Sequence, residues 1–367
     1  MKWSWRLGRI AGIVVYVHAT FLLLPAWVAL EEYDRGLGAV LGALLYIVAL
    51  FAVVVLHELG HALTARRFGI VTRDIILLPI GGVARLERMP RQPRQELIVA
   101  LAGPAVNVVL AALLYAIVWA SGGAPVGDPY AIGAPFSARA FLMQLVLVNV
   151  SLAVFNLLPA FPMDGGRVLR AVMAMRMGSY ARATNVAARI GRLLALVLGT
   201  GALFVWKAPF LVLIAIFVWL GAGSEAAAAQ TSSTLEGVPI EQLMIRDVRT
   251  LAPAEPLSRA VQLTLDGFQQ DFPVVDTDGS IIGVLTRSDL LRALSERGPG
   301  TPVAAAMQRT FAVARPEEQA EEVLPRLRSC GCSAMPVVRG TELLGVLTLD
   351  NIGEYIMIKS ALREAKA

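Results

Sequence analysis

Three histidines occur in 367 residues, and two of them flank a glutamate: His57-Glu58-Leu59-Gly60-His61. On a helix, residues four apart share one face. His57 and His61 can therefore present two imidazoles to one metal ion. Glu58, one step round the helix, can reach a water on that ion. This is the chemistry of the H-E-x-x-H pattern, in which the carboxylate is the general base. The five residues close an apolar run that includes Val53, Val54, Val55 and Leu56. An unpaired glutamate in such a run costs on the order of several kcal/mol. Its presence points to a site rather than to chance.

A catalytic zinc takes a third protein ligand and keeps one position open. His18 lies in the first apolar run and is expected to be a buried, hydrogen-bonded interior residue. Cys330 and Cys332 are far along the chain. One residue apart, they cannot staple a fold, and they read as reduced. The remaining candidate type is a carboxylate on the same side of the membrane. Asp164 stands in Asn156-Leu157-Leu158-Pro159-Ala160-Phe161-Pro162-Met163-Asp164-Gly165-Gly166. Spacing alone leaves two roles open for it, metal ligand or turn residue before the glycine pair.

The elements that must position these groups are apolar. Charged residues make up 17% of the chain, against about 25% in a soluble domain. That excludes a disordered chain, a disulfide scaffold and an ordinary cytosolic enzyme. Six runs approach the roughly 20 residues a bilayer requires: near 10–30, 38–60, 97–120, 138–158, 187–206 and 208–224. The basic, then apolar, N-terminus reads as a retained first span, being too long for a signal peptide. Residues 1–224 carry a net charge of +10 and residues 225–367 a net charge of −5. The cations fall between spans two and three (Arg66, Arg67, Arg73, Arg85, Arg88, Arg91, Arg94) and between four and five (Arg167, Arg170, Arg176, Arg182, Arg189). The opposite loops are nearly empty of cations: Arg35 beside Glu31, Glu32 and Asp34, then Asp128 alone, then Lys207. The positive-inside rule then places both termini and the C-terminal half in the cytoplasm of a multi-pass cell-membrane protein. The basic character thus follows membrane topology, and no nucleic-acid partner is expected. His57, His61 and Asp164 all fall at cytoplasmic span ends.

Shorter features complete this half. Ile75–Leu86, with Gly81-Gly82 at its centre, is apolar but too short to span. It reads as a sheet edge that accepts an unwound substrate strand, or as a re-entrant hairpin. Asn107 and Asn149 read as hydrogen-bonding residues between helices. Gly103-Pro104 suits close packing or a kink.

Taken together, these motifs resemble the site-2 protease family of intramembrane zinc metalloproteases. The resemblance rests on His57-Glu58-Leu59-Gly60-His61 and on the N-x-x-P-x-x-P-x-D-G-G pattern from Asn156 to Gly166. Gly81-Gly82 and Ala102-Gly103-Pro104-x-x-Asn107 add to it. It implies that His57, His61 and Asp164 bind one Zn2+ and that Glu58 is the catalytic base and acid. Asn156 would donate a hydrogen bond to the substrate backbone or oxyanion. The partner implied is a membrane protein substrate.

Beyond residue 224 the sequence repeats. Phe272-Pro273-Val274-Val275 and Gly283-Val284-Leu285-Thr286 return as Met335-Pro336-Val337-Val338 and Gly345-Val346-Leu347-Thr348. This resembles a tandem pair of cystathionine-beta-synthase (CBS) domains. The resemblance implies an adenine nucleotide (ATP, ADP or AMP) between the copies, with Thr286, Asp289 and Thr348 facing it, and a homodimer through the pair. Asn351 replaces the acid expected after Thr348. A ligand-free dimerisation module is the alternative.

The expected architecture is an all-α membrane domain of six transmembrane helices with a short β-hairpin or re-entrant loop (1–224). A linker (225–238) leads to an α/β CBS pair (239–298 and 299–367). The expected activity is hydrolysis of a peptide bond within or next to a transmembrane segment, modulated by nucleotide. The alternatives are a CBS-regulated channel or transporter and an inactive scaffold of the protease fold. The channel would show repeated halves with broken helices, and no such repeat occurs in the six runs.

Overall fold

A computed structural model of the chain describes residues 3–79, 81–87, 92–122, 138–267, 269–330 and 334–364. Arg88, Arg91, Asp128 and Cys332 lie outside them. The chain divides into two compact units, Met1–Ala229 and Gln230–Ala367.

The first unit begins with strands, where a membrane helix was expected. β1 (Ser4–Ile10) and β2 (Ile13–His18) form a hairpin. A short helical stretch follows, ending in α1 (Leu23–Glu31). The run 10–30 is therefore not one span. Ile13-Val14-Val15-Tyr16-Val17 is rich in β-branched residues and alternates between buried and half-buried. A continuous apolar run of that length fits strand or helix equally well in sequence. The helical part, Ala19–Glu31, would cover only about 20 Å at 1.5 Å per residue. His18 is correspondingly not an interior span residue. It ends β2, is half-buried, and caps the next turn by accepting from Thr20 N through Nδ1.

α2 (Leu37–Arg67) comes next, then β3 (Thr72–Leu78) and β4 (Gly81–Leu86). The four strands form one sheet in the order β1-β2-β3-β4, with β2 and β3 parallel. The expected short hairpin is thus half of a larger sheet. Its inner face (Ile13, Val15, Val17, Ile75, Leu77) packs on α2 through Ile47, Phe51, Val54, Val55 and Leu59. Arg66 Nη1 donates to Ala11 O at 3.2 Å, so the β1–β2 turn lies beside the C-terminal end of α2. β2 and α1 together carry the chain back to the opposite end of α2.

α3 (Pro93–Ala120), α4 (Ala138–Asn156), α5 (Asp164–Met177), α6 (Tyr180–Phe204) and α7 (Pro209–Leu235) complete the unit. Among the described residues, α2, α3, α4, α6 and α7 are long and apolar enough to cross a membrane, five helices instead of six. The expected linker after residue 224 continues α7 as helix.

The second unit holds two similar motifs. The first comprises α8 (Leu257–Leu265), β5 (Phe272–Val275), β6 (Ile281–Leu285) and α9 (Arg287–Arg297). The second comprises α10 (Ala320–Ser329), β7 (Ala334–Arg339), β8 (Glu342–Thr348) and α11 (Leu349–Glu364). Each core borrows from the other motif's lead-in. Val238, Ile240 and Leu243 join the core of the second. Val303 and Met307 join that of the first. Cys330 is disulfide-bonded rather than reduced.

Candidate metal centre

α2 brings His57 and His61 onto one buried face, 6% and 5% exposed. Their Nε2 atoms lie 3.1 Å apart. Asp164, the first residue of α5, places Oδ2 3.2 Å from His57 Nε2 and 3.1 Å from His61 Nε2. The three residues form one group able to hold a metal ion.

The proton on each ring can be traced outward. Leu145 O accepts from Asn149 Nδ2, and Asn149 Oδ1 accepts from Asn107 Nδ2. That fixes Asn107 Oδ1 as the acceptor facing His57 Nδ1. His61 Nδ1 faces the Val99 carbonyl at 2.7 Å. Both Nδ1 atoms are therefore donors, and in a neutral imidazole the other nitrogen is then an acceptor. Two lone pairs and a carboxylate oxygen thus converge on one buried point. Acceptors so placed repel one another unless a cation lies between them. Two imidazoles and one carboxylate suit zinc with an open fourth position, and the residues present fit that metal.

Small residues permit the close approach. A Cβ on Gly103 of α3 would lie 2.2 Å from His61 Nε2 and 2.8 Å from His57 Cε1. Close packing, one of the two readings of Gly103-Pro104, is what the helix shows. A Cβ on Gly165 would meet Leu158 O at 2.2 Å, so the glycine lets the segment after α4 fold over the start of α5.

Glu58 is half-buried, and its Oε2 accepts from Ala84 N of β4 at 3.1 Å. Gly82 lies against it, since a Cβ there would be 2.9 Å from Glu58 Cγ. Gly81 begins the same strand, with φ +135°. β4 is the outer strand of its sheet, and the Ala84 amide turns from that edge toward Glu58. Asn156 ends α4, half-buried, eight residues before Asp164.

In the second unit, Thr286 caps α9. Its Oγ1 accepts from Asp289 N at 3.2 Å and donates to Asp289 Oδ2 at 2.6 Å. Thr348 accepts from Asn351 N at 3.1 Å, while Asn351 Nδ2 donates to Leu243 O at 3.0 Å. A cavity of about 90 Å³ opens between the motifs, lined by Val284, Thr286, Gln308, Thr310, Phe311 and Pro336.

Sequence reasoning missed the orienting role of Asn107 and of the Val99 carbonyl. Asn107 carried a signal, the Ala-Gly-Pro-x-x-Asn pattern. A main-chain carbonyl carries none.

A paired-histidine helix that meets a carboxylate inside a bundle of apolar helices defines a membrane metalloprotease. Residues 45–198 match the model of peptidase family M50, and 240–296 and 303–358 match that of the CBS domain. The chain is 30% identical over 367 residues to a zinc metalloprotease of Methanocaldococcus jannaschii, covering 100% of each chain. It is 27% identical over 171 residues to the stage IV sporulation protein FB of Bacillus subtilis, 46% of this chain and 54% of that protein. A solved site-2 protease from Methanocaldococcus jannaschii shares 35% identity, with a TM-score of 0.45, over 61% of this chain and 95% of that one. The chain belongs to peptidase family M50 and carries a tandem CBS pair. It is a multi-pass membrane zinc metalloprotease. The channel and scaffold alternatives find no support in these relatives.

Proposed function

We propose that the chain cleaves a peptide bond within or beside a transmembrane segment of a membrane protein, using His57, His61 and Asp164 as zinc ligands and Glu58 as base and acid. The convergence of three acceptor atoms on one buried point carries this reading. When bound, zinc would supply Lewis acidity toward a carbonyl and toward water. Glu58 takes a proton from the attacking water and delivers it to the leaving amine. Asn156, at the end of α4, donates to the substrate backbone or oxyanion. A substrate helix must unwind, because its carbonyls are already hydrogen-bonded. The free edge at Gly81 and Gly82 receives the unwound strand by main-chain pairing. The direction of the Ala84 amide supports this placement, since it brings that edge to Glu58.

The functional division follows the sequence: a protease domain over 1–224, a linker over 225–238, and CBS domains over 239–298 and 299–367. The cation-rich loops support a cell-membrane protein with both termini and the CBS pair in the cytoplasm. The CBS pair binds an adenine nucleotide at Thr286, Asp289 and Thr348 and joins two chains into a homodimer. The Thr286 cap hydroxyl at the start of α9, which lines a cavity, supports that site, and Thr348 caps the start of α11 in the same way.

The test is purified full-length protein with zinc analysis and the variant Glu58→Gln. We expect one zinc per chain in both, and proteolysis of a transmembrane substrate lost by about 10²- to 10⁴-fold in the variant. Undiminished cleavage by Glu58→Gln would overturn the mechanism.

A further inference from the structure

A second polar cluster lies apart from the metal ligands. Arg170 and Glu96 are each 2% exposed. Arg170 of α5 donates through Nε, at 2.8 Å, and through Nη2 to one oxygen of Glu96 on α3. Its Nη1 donates to Glu225 of α7 at 2.9 Å. Tyr180 of α6 donates to the same Glu96 oxygen at 3.2 Å. The guanidinium lies over the rings of Phe161 and Tyr180, 4.9 and 4.8 Å from their centroids. Burial lowers the Arg170 pKa, but Glu96, Tyr180 and Glu225 outweigh it and hold the cation above its ordinary value. One side chain thus ties four helices together.

The position of this knot matters more than its strength. A buried ion pair is weak evidence of stabilisation, because apolar residues of similar volume often serve as well or better. Its geometry is what an apolar cluster cannot copy. Arg170 follows Asp164 by six residues, about 9 Å along α5. Glu96 precedes Val99 by one turn, and Val99 holds His61. Asn107, further along α3, holds His57. So α3 carries the orienting partners of both imidazoles, and α5 carries the carboxylate. Glu96 and Arg170 are the ion pair between these two helices.

We propose that Arg170 is a positioning residue. Clamped by Glu96 and Glu225, it sets the register of α5 against α3 and so holds Asp164 at the point where the two imidazoles meet. This inference rests on the metal-site reading above. Removing the clamp lets α5 shift, and Asp164 with it, although all three ligand residues remain in the chain. The carboxylate then misses the ion, and affinity falls as it does when outer partners of metal ligands are lost, about 10- to 100-fold.

Cobalt(II)-loaded full-length protein in detergent gives the test, because its visible spectrum reports the ligand set independently of activity. The variants are the apolar pair Glu96→Leu/Arg170→Leu and the milder Arg170→Lys, with His57→Ala as control. Lys keeps the charge but not the planar fork that reaches two carboxylates. We expect the apolar pair to fold with an unchanged melting temperature. Its cobalt bands should shift, and a chelator should remove the ion about ten times faster. Arg170→Lys should fall between it and the parent chain. If the apolar pair fails to fold, Arg170→Lys decides alone. Parental spectra and release rates in the folded variants would overturn the proposal. If the parent chain and His57→Ala bind cobalt alike, the metal site itself is wrong, and that failure is distinct.

Discussion

The metal centre and the CBS cleft both gather polar side chains, but they satisfy them in opposite ways. At the centre, His57, His61 and Asp164 present acceptors to one another, while their donors are turned outward to Asn107 and Val99. Next to the cleft residues Thr286 and Gln308, Asp289 receives donors from its own unit. Thr286 and Gln308 Nε2 reach one oxygen, the latter at 2.7 Å, and Arg292 reaches the other. The first arrangement is incomplete without a cation. The second is complete without a ligand. A metal therefore gains the full interaction on binding, whereas a nucleotide must displace internal hydrogen bonds. Tight binding is expected at the first and loose, exchangeable binding at the second.

The sharpest way to break this contrast is to remove an acceptor at the centre. Asp164→Ala should leave two imidazoles and no carboxylate. Zinc content should fall well below one per chain, with activity lost by about 10²-fold or more, at or beyond the upper end of what losing an outer partner costs. Elemental analysis and cleavage of a transmembrane substrate check this. Full zinc occupancy in Asp164→Ala would mean that another residue closes the site.

A steric version comes next. Gly103→Ala directs a methyl group at both imidazoles, to within 2.2 Å of His61 Nε2. Neither ring can retreat, because each is held at Nδ1. Zinc binding should weaken severely in a protein that still folds. Gly283→Ala in the CBS unit is the matched control. Its Cβ would meet the Met307 thioether at 2.6 Å and Gln308 O at 3.0 Å. That overpacking should cost about 1–3 kcal/mol of CBS-unit stability and leave zinc content unchanged. Equal zinc loss in both variants would show that the effect is general misfolding.

Smaller still is the outer partner. Asn107→Ala removes the acceptor that fixes the His57 tautomer, with an expected loss of about 10- to 100-fold in metal affinity. Chelator competition measures it. Asn149→Ala, one hydrogen bond further out, should act in the same direction and more weakly.

What the sequence showed of this arrangement depends on the range of the interaction. The His57/His61 pair was visible because one helical turn sets its geometry. Asp164 became visible through charge topology and the Asp-Gly-Gly pattern, although 103 residues separate it from His61. The N-terminal sheet was not visible. Ile13–Val17 reads equally as strand or span until the parallel pairing with β3 is known, and that pairing crosses some sixty residues. The CBS repeat was plain from its recurring strands. The exchange of lead-ins between the copies was not, because Ile240 and Val303 are apolar residues that would suit either core.

The smallest effect should separate the two CBS copies. Both use a threonine cap, but Asp289 is a carboxylate bonded to Thr286 and Gln308, which line the cavity, and Asn351 is an amide spent on Leu243 O. A ribose hydroxyl can be accepted by the first more readily than by the second. Asp289→Ala should therefore weaken ATP, ADP or AMP binding to the full-length protein about tenfold, the worth of one hydrogen bond to a charged group. Asn351→Ala should leave affinity nearly unchanged and instead lower the thermal stability of the CBS unit, since Leu243 O loses its donor. Equilibrium dialysis with each nucleotide and a melting curve distinguish the two. An equal loss of affinity in both variants would mean that the copies share the ligand symmetrically. No binding at millimolar nucleotide to the parent chain would leave the pair as a dimerisation module, and the contrast between the two regions would then be one of metal site against interface.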